Sequence, residues 1–313
     1  MLIFEKFTIL KNKFFIAFLA GAFCVFAFAP FQLFFTAIIS ISAFYYFLEK
    51  KTDKAKQAFY LGFFYGFGYF LAGIHWIAIS LLVDASSFAW LIPFALTLIP
   101  GILAIYFALM ALCYFKITQK IKCKYHYQKI LIFAILWLIF EILRANLFTG
   151  FPWNLIGYIW LFSINISQIA NIFGIYGLSF FAVIICLFPA LFFDKNPKKI
   201  DKIFAVILAI LMVMSFFYGL FYIKKNNQNN ISDINLRLVQ GNIKQEMKWR
   251  SDEKYRNFIK HIELTNSRGI EDIDAVIWSE TAIPYIVDSG DEDLMRELKK
   301  ALPRKNNISG NLI

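Results

Sequence analysis

Seven apolar runs dominate the chain, at about residues 13 to 29, 31 to 48, 58 to 82, 88 to 115, 130 to 147, 168 to 193 and 203 to 223. Each is long enough to cross, or nearly cross, a hydrocarbon core of roughly 30 Å. A backbone in lipid must satisfy its own hydrogen bonds, and a helix does so within one segment. The pattern therefore predicts a membrane α-helical bundle of about seven spans over residues 1–223. Pro30 parts the first two runs with almost no loop. Pro93, Pro100 and Pro189 sit inside runs, where helices in lipid tolerate them if neighbours satisfy the freed carbonyls. With 59% of 313 residues hydrophobic and only 17% charged, neither a water-soluble enzyme nor a disordered tail fits the whole chain.

A net charge of +11 is compatible with nucleic-acid binding, but its distribution argues otherwise. The first 230 residues carry 19 basic and 7 acidic groups; the remainder carries 13 basic and 14 acidic. Sixteen of those 19 fall in four places: Lys6, Lys11 and Lys13; Lys50, Lys51, Lys54 and Lys56; Lys116, Lys120, Lys122, Lys124 and Lys129; and Lys195, Lys198, Lys199 and Lys202. Only Arg144, Lys224 and Lys225 lie on the other side. The positive-inside rule makes the N-terminus and the even-numbered loops cytoplasmic, and seven crossings put everything after residue 224 outside. No nucleic-acid partner is expected. The N-terminus has no small-residue cleavage site and reads as a retained first span. Cys24, Cys113, Cys123 and Cys186 show neither CxxC nor Cys/His ligand spacing, so no disulfide framework, metal site or cofactor is expected.

Composition changes at "KKNNQNNISD", a polar linker over 224–233, and a soluble part follows over 234–313. "INLRLVQ" (234–240) reads as a strand. "SDEKYRNFIKHIELTNS" (251–267) reads as a helix with Ser251 as N-cap and Tyr255, Phe258, Ile259 and Ile262 on one face. "DAVIWSE" (274–280) is a buried-strand candidate, "DEDLMRELKKAL" (291–302) a second helix, and "NNISGNLI" (306–313) the entry into a third strand. This βαβαβ order implies a parallel sheet in an incomplete α/β domain, the chain being cut inside it.

Glu280 follows the apolar run "AVIW". Functional groups gather at the carboxyl ends of parallel strands, and a carboxylate beside Trp278 suits general-base work; an exposed strand-end Glu is the plain alternative. Trp249 sits in the loop between first strand and first helix, placed either to meet an acyl chain or to pack under the loop. "NLFTGFPWNLIGY" (146–158) interrupts the apolar pattern with helix breakers and interfacial aromatics. Glu141 and Arg144, three apart on one helix, predict a local ion pair. His75 lies inside the third run, where bonding to a neighbouring helix competes with a functional role. No Walker loop, G-x-S-x-G or H-E-x-x-H is present.

Three strings, "WLIFEILRANLFTGFPW" (137–153), "RLVQGNIKQEMKW" (237–249) and "VIWSETAIP" (276–284), in this order behind a multi-span part, resemble bacterial apolipoprotein N-acyltransferases. The resemblance implies a membrane domain fused to a periplasmic nitrilase-like domain, resident in the bacterial inner membrane. It also implies transfer of an acyl chain from a phospholipid donor to the diacylglyceryl-cysteine amine of an apolipoprotein acceptor. Such enzymes use a Glu, Lys, Cys triad: the thiolate attacks the ester, glutamate is the base and lysine stabilises the oxyanion. Glu280 matches the glutamate by its motif, although Ser279 stands where the family commonly has proline. Trp249 matches a loop tryptophan that engages lipid substrate. The family's lysine and cysteine lie further downstream; Lys299, Lys300 and Lys305 match no catalytic motif, and no cysteine follows Glu280. These 313 residues are therefore expected to be a truncated acyltransferase without activity of their own. The alternatives are a non-enzymatic membrane binding or transport protein with a small extracytoplasmic domain, or a functionless remnant. A transporter usually shows several paired charges deep in its spans.

Overall fold

The computed structural model describes residues 12–193, 197–226, 234–248, 250–279, 282 and 296. Backbone contacts divide the chain into two units, Met1–Asn229 and Asn230–Ile313. The first contains the helices α1 (Lys13–Cys24), α2 (Phe34–Lys50), α3 (Ala55–Ile74), α4 (Ile92–Ile121), α5 (His126–Asn146), α6 (Ala170–Cys186) and α7 (Lys199–Asn226). Each expected apolar run carries one of them.

Three helical stretches, Ala85–Ile121, Ala170–Phe192 and Lys199–Asn226, are long and apolar enough to cross a bilayer. The other runs are shorter or more polar. α1 has 12 residues and α2 has 17. At about 1.5 Å per residue, α1 rises only some 18 Å. α3 interleaves Tyr60, Tyr65 and Tyr69 with glycines, and α5 carries Lys129, Glu141 and Arg144. Pro93 opens α4 and Pro100 lies within it. Pro189 opens the short helical turn Phe188–Phe192.

α3 packs between α1 and α4 because glycines remove the atoms that would keep the backbones apart. A Cβ on Gly21 would strike the Tyr65 carbonyl, one on Gly68 the Phe18 carbonyl, and one on Gly62 the Phe107 carbonyl of α4. Small residues permit such close crossings, where dispersion and interhelical hydrogen bonds replace a hydrophobic driving force. Aromatic rings fill the centre: Phe44 stacks on Tyr65 at 4.2 Å, and Trp137 meets Phe107 edge-on at 4.9 Å. Ser42 Oγ donates to the Cys186 carbonyl at 2.7 Å, fastening α2 to α6.

The lysine-bearing loops that the sequence assigned to one side meet at one end of this unit. Lys13 Nζ donates to Lys51 O (2.5 Å) and Gln57 Oε1 (2.8 Å). Lys129 pairs with Glu49 at 2.5 Å, and the Tyr114 hydroxyl donates to the same carboxylate at 2.6 Å. Lys198 Nζ donates to Lys124 O at 2.9 Å, while the buried Asp201 of α7 accepts the Tyr127 N–H of α5 at 3.0 Å. A carboxylate at the open first turn of a helix complements its free amides and dipole.

In the second unit, β1 (Leu236–Val239) and β2 (Ala275–Trp278) pair in parallel, with Leu236 opposite Ala275 and Val239 opposite Trp278. A parallel pair needs a crossover, supplied by α8 (Lys254–Thr265). Phe258, 2% exposed, anchors α8 against Trp278 of β2, with Ile259 and Ile262 of the same helix packed beside it. Tyr255, expected on that face, is 64% exposed. The helix starts at Lys254 with Glu253 rather than Ser251 at its cap, so Tyr255 falls in the first turn. Asn257, Phe258, His261 and Thr265 form the buried stripe. The expected second helix and third strand lie outside the described residues, apart from Arg296, which is helical.

Candidate functional site

The polar groups of the helical unit converge on the segment that follows α5. This segment cannot continue the helix. Phe148, Thr149 and Gly150 have φ of 52°, 72° and 80°, and Asn154 has φ 54°. A β-branched residue such as Thr149 rarely adopts that conformation, so the surroundings must hold it.

Four side chains fasten the residues that follow it. Arg144, 3% exposed, donates through Nη1 to the carbonyls of Phe151 (2.5 Å) and Trp153 (2.7 Å), and its guanidinium lies 5.1 Å from the centre of the Phe70 ring. Glu141 Oε1 accepts from the Ile156 N–H at 2.8 Å and from Trp137 Nε1 at 3.2 Å. The Tyr69 hydroxyl of α3 donates to Asn154 O at 2.6 Å, and the Gly157 N–H donates to Ser179 Oγ of α6 at 3.0 Å. Three helices thus hold one loop through its own amides and carbonyls.

The expected Glu141–Arg144 ion pair is corrected by this geometry. Among the described residues the two form no salt bridge. Three-residue spacing puts both on one helix face, but the loop backbone offers Arg144 two acceptors and Glu141 a donor. Glu141 Oε2 is buried and has no hydrogen-bond partner among the described residues. A recess between α4 and α5, lined by Tyr106, Met110 and Phe140 with this pair, has room for about one water. On the loop's surface, Phe148 is 91% exposed and Trp153 meets Trp76 edge-on at 5.4 Å.

His75 is corrected as well. It caps the end of α3, is exposed, and bonds through Nδ1 to Ala72 O of its own helix at 2.8 Å rather than to a neighbouring one.

In the second unit, Glu280 and Trp249 lie outside the described residues. What is described is the support before Glu280. Trp278, the last residue of β2, donates through Nε1 to Thr265 Oγ1 at 2.8 Å, and its ring lies 5.3 Å from that of His261. His261 is buried, and its Nδ1 bonds to Asn257 O at 2.8 Å. Arg237 of β1 donates to the carbonyls of Thr265, Ser267 and Arg268 at 2.6 to 2.9 Å, closing the turn after α8. Sequence reasoning missed Tyr69, Ser179, His261 and Thr265. The available signal was a polar side chain recurring on an otherwise buried helix face.

Residues 20–188 match the family model described as the apolipoprotein N-acyltransferase N-terminal domain. Similar proteins include "Apolipoprotein N-acyltransferase" of Rickettsia bellii, 41% identical over 240 residues, covering 76% of this chain and 46% of that protein. The protein of the same name from Rickettsia typhi is 39% identical over 269 residues, covering 86% of this chain and 52% of its own length. That from Brucella melitensis is 33% identical over 286 residues, covering 87% and 52%. The chain spans about half the length of the curated relatives it matches. The matched domain fills more than half of the chain and contains the whole clamped loop with Glu141 and Arg144, and the chain belongs to the apolipoprotein N-acyltransferase family.

Proposed function

We propose that this chain is the membrane part and the first portion of the nitrilase-like domain of an enzyme that moves an acyl chain from a phospholipid to the diacylglyceryl-cysteine amine of a lipoprotein. The family match over residues 20–188 is the observation that carries this reading. Glu280 serves as the base and Trp249 engages the lipid. Support for Glu280 comes from the sequence, where it follows the last residue of β2 by two positions, at the carboxyl end of a parallel pair. Three helical stretches are long and apolar enough to cross the inner membrane, and counting all seven apolar runs as passes puts the lysine-rich end in the cytoplasm and the second unit in the periplasm. The two buried charges near the opposite end, Glu141 and Arg144, are engaged by loop backbone, which favours an acyltransferase scaffold over a solute path.

Acyl transfer by a thioester needs a thiolate, and the four cysteines all precede residue 187, within the first unit. These 313 residues alone therefore transfer no acyl chain. A fluorescent phospholipid and a diacylglyceryl-peptide in micelles test this directly, and measurable transfer by the chain refutes it. Grafting residues 1–284 onto the remainder of the Rickettsia bellii relative tests the reading itself. The chimaera is expected to transfer acyl chains and E280Q to abolish it; a folded chimaera indifferent to E280Q overturns the assignment. A periplasm-dependent reporter fused after residue 226 is expected to be active and one after residue 122 silent, and the reverse pattern refutes the topology.

A further inference from the structure

The lysine-rich end of the helical unit gathers positive charge at one place instead of spreading it. The turn between α4 and α5 carries Lys122 and Lys124, and the start of α7 carries Lys198, Lys199 and Lys202. Lys198 and Lys124 both approach the ring of Tyr125, with Nζ 5.0 and 5.5 Å from its centre. Two ammonium groups sharing one ring stand within about a Debye length of each other, ~10 Å at 0.1 M salt, so they repel. Lys198 is also pinned by its bond to the Lys124 carbonyl at 2.9 Å, which keeps it from swinging away.

Among the described residues, two acids at this end are engaged elsewhere. Asp201, fully buried, accepts from the Tyr127 N–H, and Glu49 bonds Lys129 and Tyr114. Among the described residues, neither Lys124 nor Lys198 forms an ion pair. Lys122 holds the turn in the left-handed conformation at φ 51°, capping α4 so that Lys124 and Tyr125 follow at once. A half-buried tyrosine flanked by two exposed ammonium groups, one of them held by a hydrogen bond, is a headgroup-level arrangement: the ring suits the lipid interface and the charges suit a phosphodiester.

We infer that Lys124, Lys198 and Tyr125 form a site for the phosphate of an anionic phospholipid in the leaflet at the lysine-rich end. The site is remote from the clamped loop, which lies at the other end of α5. It rests on the membrane placement proposed above and is independent of acyl transfer.

The test uses the full chain in neutral detergent with added phosphatidylglycerol or, separately, phosphatidylcholine, and reads retained lipid by native mass spectrometry. Wild type is expected to retain phosphatidylglycerol selectively. The double variant K124Q/K198Q is expected to bind it at least about 30-fold more weakly, because two charge-assisted contacts to the phosphate are lost. The control K116Q/K120Q removes two exposed lysines from the same end, on α4, and is expected to behave like wild type. Equal losses in both double variants would reduce the effect to diffuse charge and overturn the site. Unchanged retention in K124Q/K198Q would overturn it too, provided both variants unfold at the wild-type temperature; a lowered temperature calls for the milder K124R/K198R, which must keep binding. In a separate arm inorganic phosphate replaces the lipid, and equal stabilisation with the same lysine dependence would identify a free-anion site and refute a lipid one. None of these outcomes bears on whether the longer protein transfers acyl chains, so failure here and failure of the acyltransferase reading are separable.

Discussion

Arg144→Met is the sharpest perturbation the structure offers. The guanidinium is 3% exposed, bonds two carbonyls at 2.5 and 2.7 Å, and rests on the Phe70 ring. Hydrogen bonds from a charged donor are worth about 1.5–3 kcal/mol each, but bonds between membrane helices average nearer 0.6 kcal/mol. Taking roughly 1–1.5 kcal/mol per bond and about 1 kcal/mol for the ring contact gives a loss of about 3–4 kcal/mol. At about 2–4 °C per kcal/mol for a unit of this size, the midpoint should fall on the order of 10 °C. Arg144→Lys should lose roughly half as much, since one ammonium lacks the planar fork that serves two carbonyls. Glu141→Gln separates this account from an ion-pair account. The amide oxygen still accepts from the Ile156 N–H, so the cost should stay under about 1 kcal/mol. Thermal unfolding in detergent, followed by tryptophan fluorescence, with amide exchange over residues 148–156, measures both. If Glu141→Gln costs as much as Arg144→Met, or if Arg144→Met leaves exchange in the loop unchanged, the clamp reasoning is wrong.

Tyr69→Phe removes the hydroxyl that holds Asn154 O and should cost about 1–2 kcal/mol while speeding exchange over the same loop. Gly68→Ala drives a methyl into the Phe18 carbonyl and should cost more than about 2 kcal/mol, read as loss of monodisperse protein on size exclusion, whereas Gly101→Ala, with open space around it, should be neutral. Thr265→Val takes the acceptor from Trp278 Nε1 and should cost the second unit about 1–2 kcal/mol, with a shift in Trp278 emission that Thr265→Ser does not produce.

The parts of the fold that follow from summed transfer energies were legible in the sequence. Seven apolar runs became α1 to α7, and the lysine loops met at one end through Lys13 with Lys51, Lys129 with Glu49 and Lys198 with Lys124. Bonds between residues far apart in the chain were not legible. Tyr69 and Asn154 are 85 positions apart, and nothing local marks either as the other's partner. Glu141 and Arg144 read as a pair because helical spacing gives a shared face, yet spacing carries no information on what else that face meets. Tyr255 reads as part of the apolar face, but the cap falls two residues later than Ser251, at Glu253, and Tyr255 lies exposed in the first turn. Glu280 is proposed from its motif and its place after "AVIW", a reading that rests on strand chemistry and not on side-chain geometry.

One of the strings that resemble this family, residues 137–153, encodes architecture. Irregular backbone within a bundle of apolar helices must find its hydrogen bonds in protein, because lipid supplies none. The loop after α5 has three consecutive residues at positive φ and exposes Phe148 and Trp153. Trp137, Glu141, Arg144, Phe151 and Trp153 of that string are the donors and acceptors that make such a loop possible. Their pattern is fixed by backbone geometry, so it identifies the scaffold whether or not a nucleophile is present elsewhere. Chemistry therefore has to be argued from the second unit alone. There the parallel pair of β1 and β2, braced by Trp278 on Thr265 and by Arg237 on the turn after α8, supplies a rigid strand end two residues before Glu280. A base proposed on such an end is testable by one substitution, E280Q, without disturbing the loop that reveals the family.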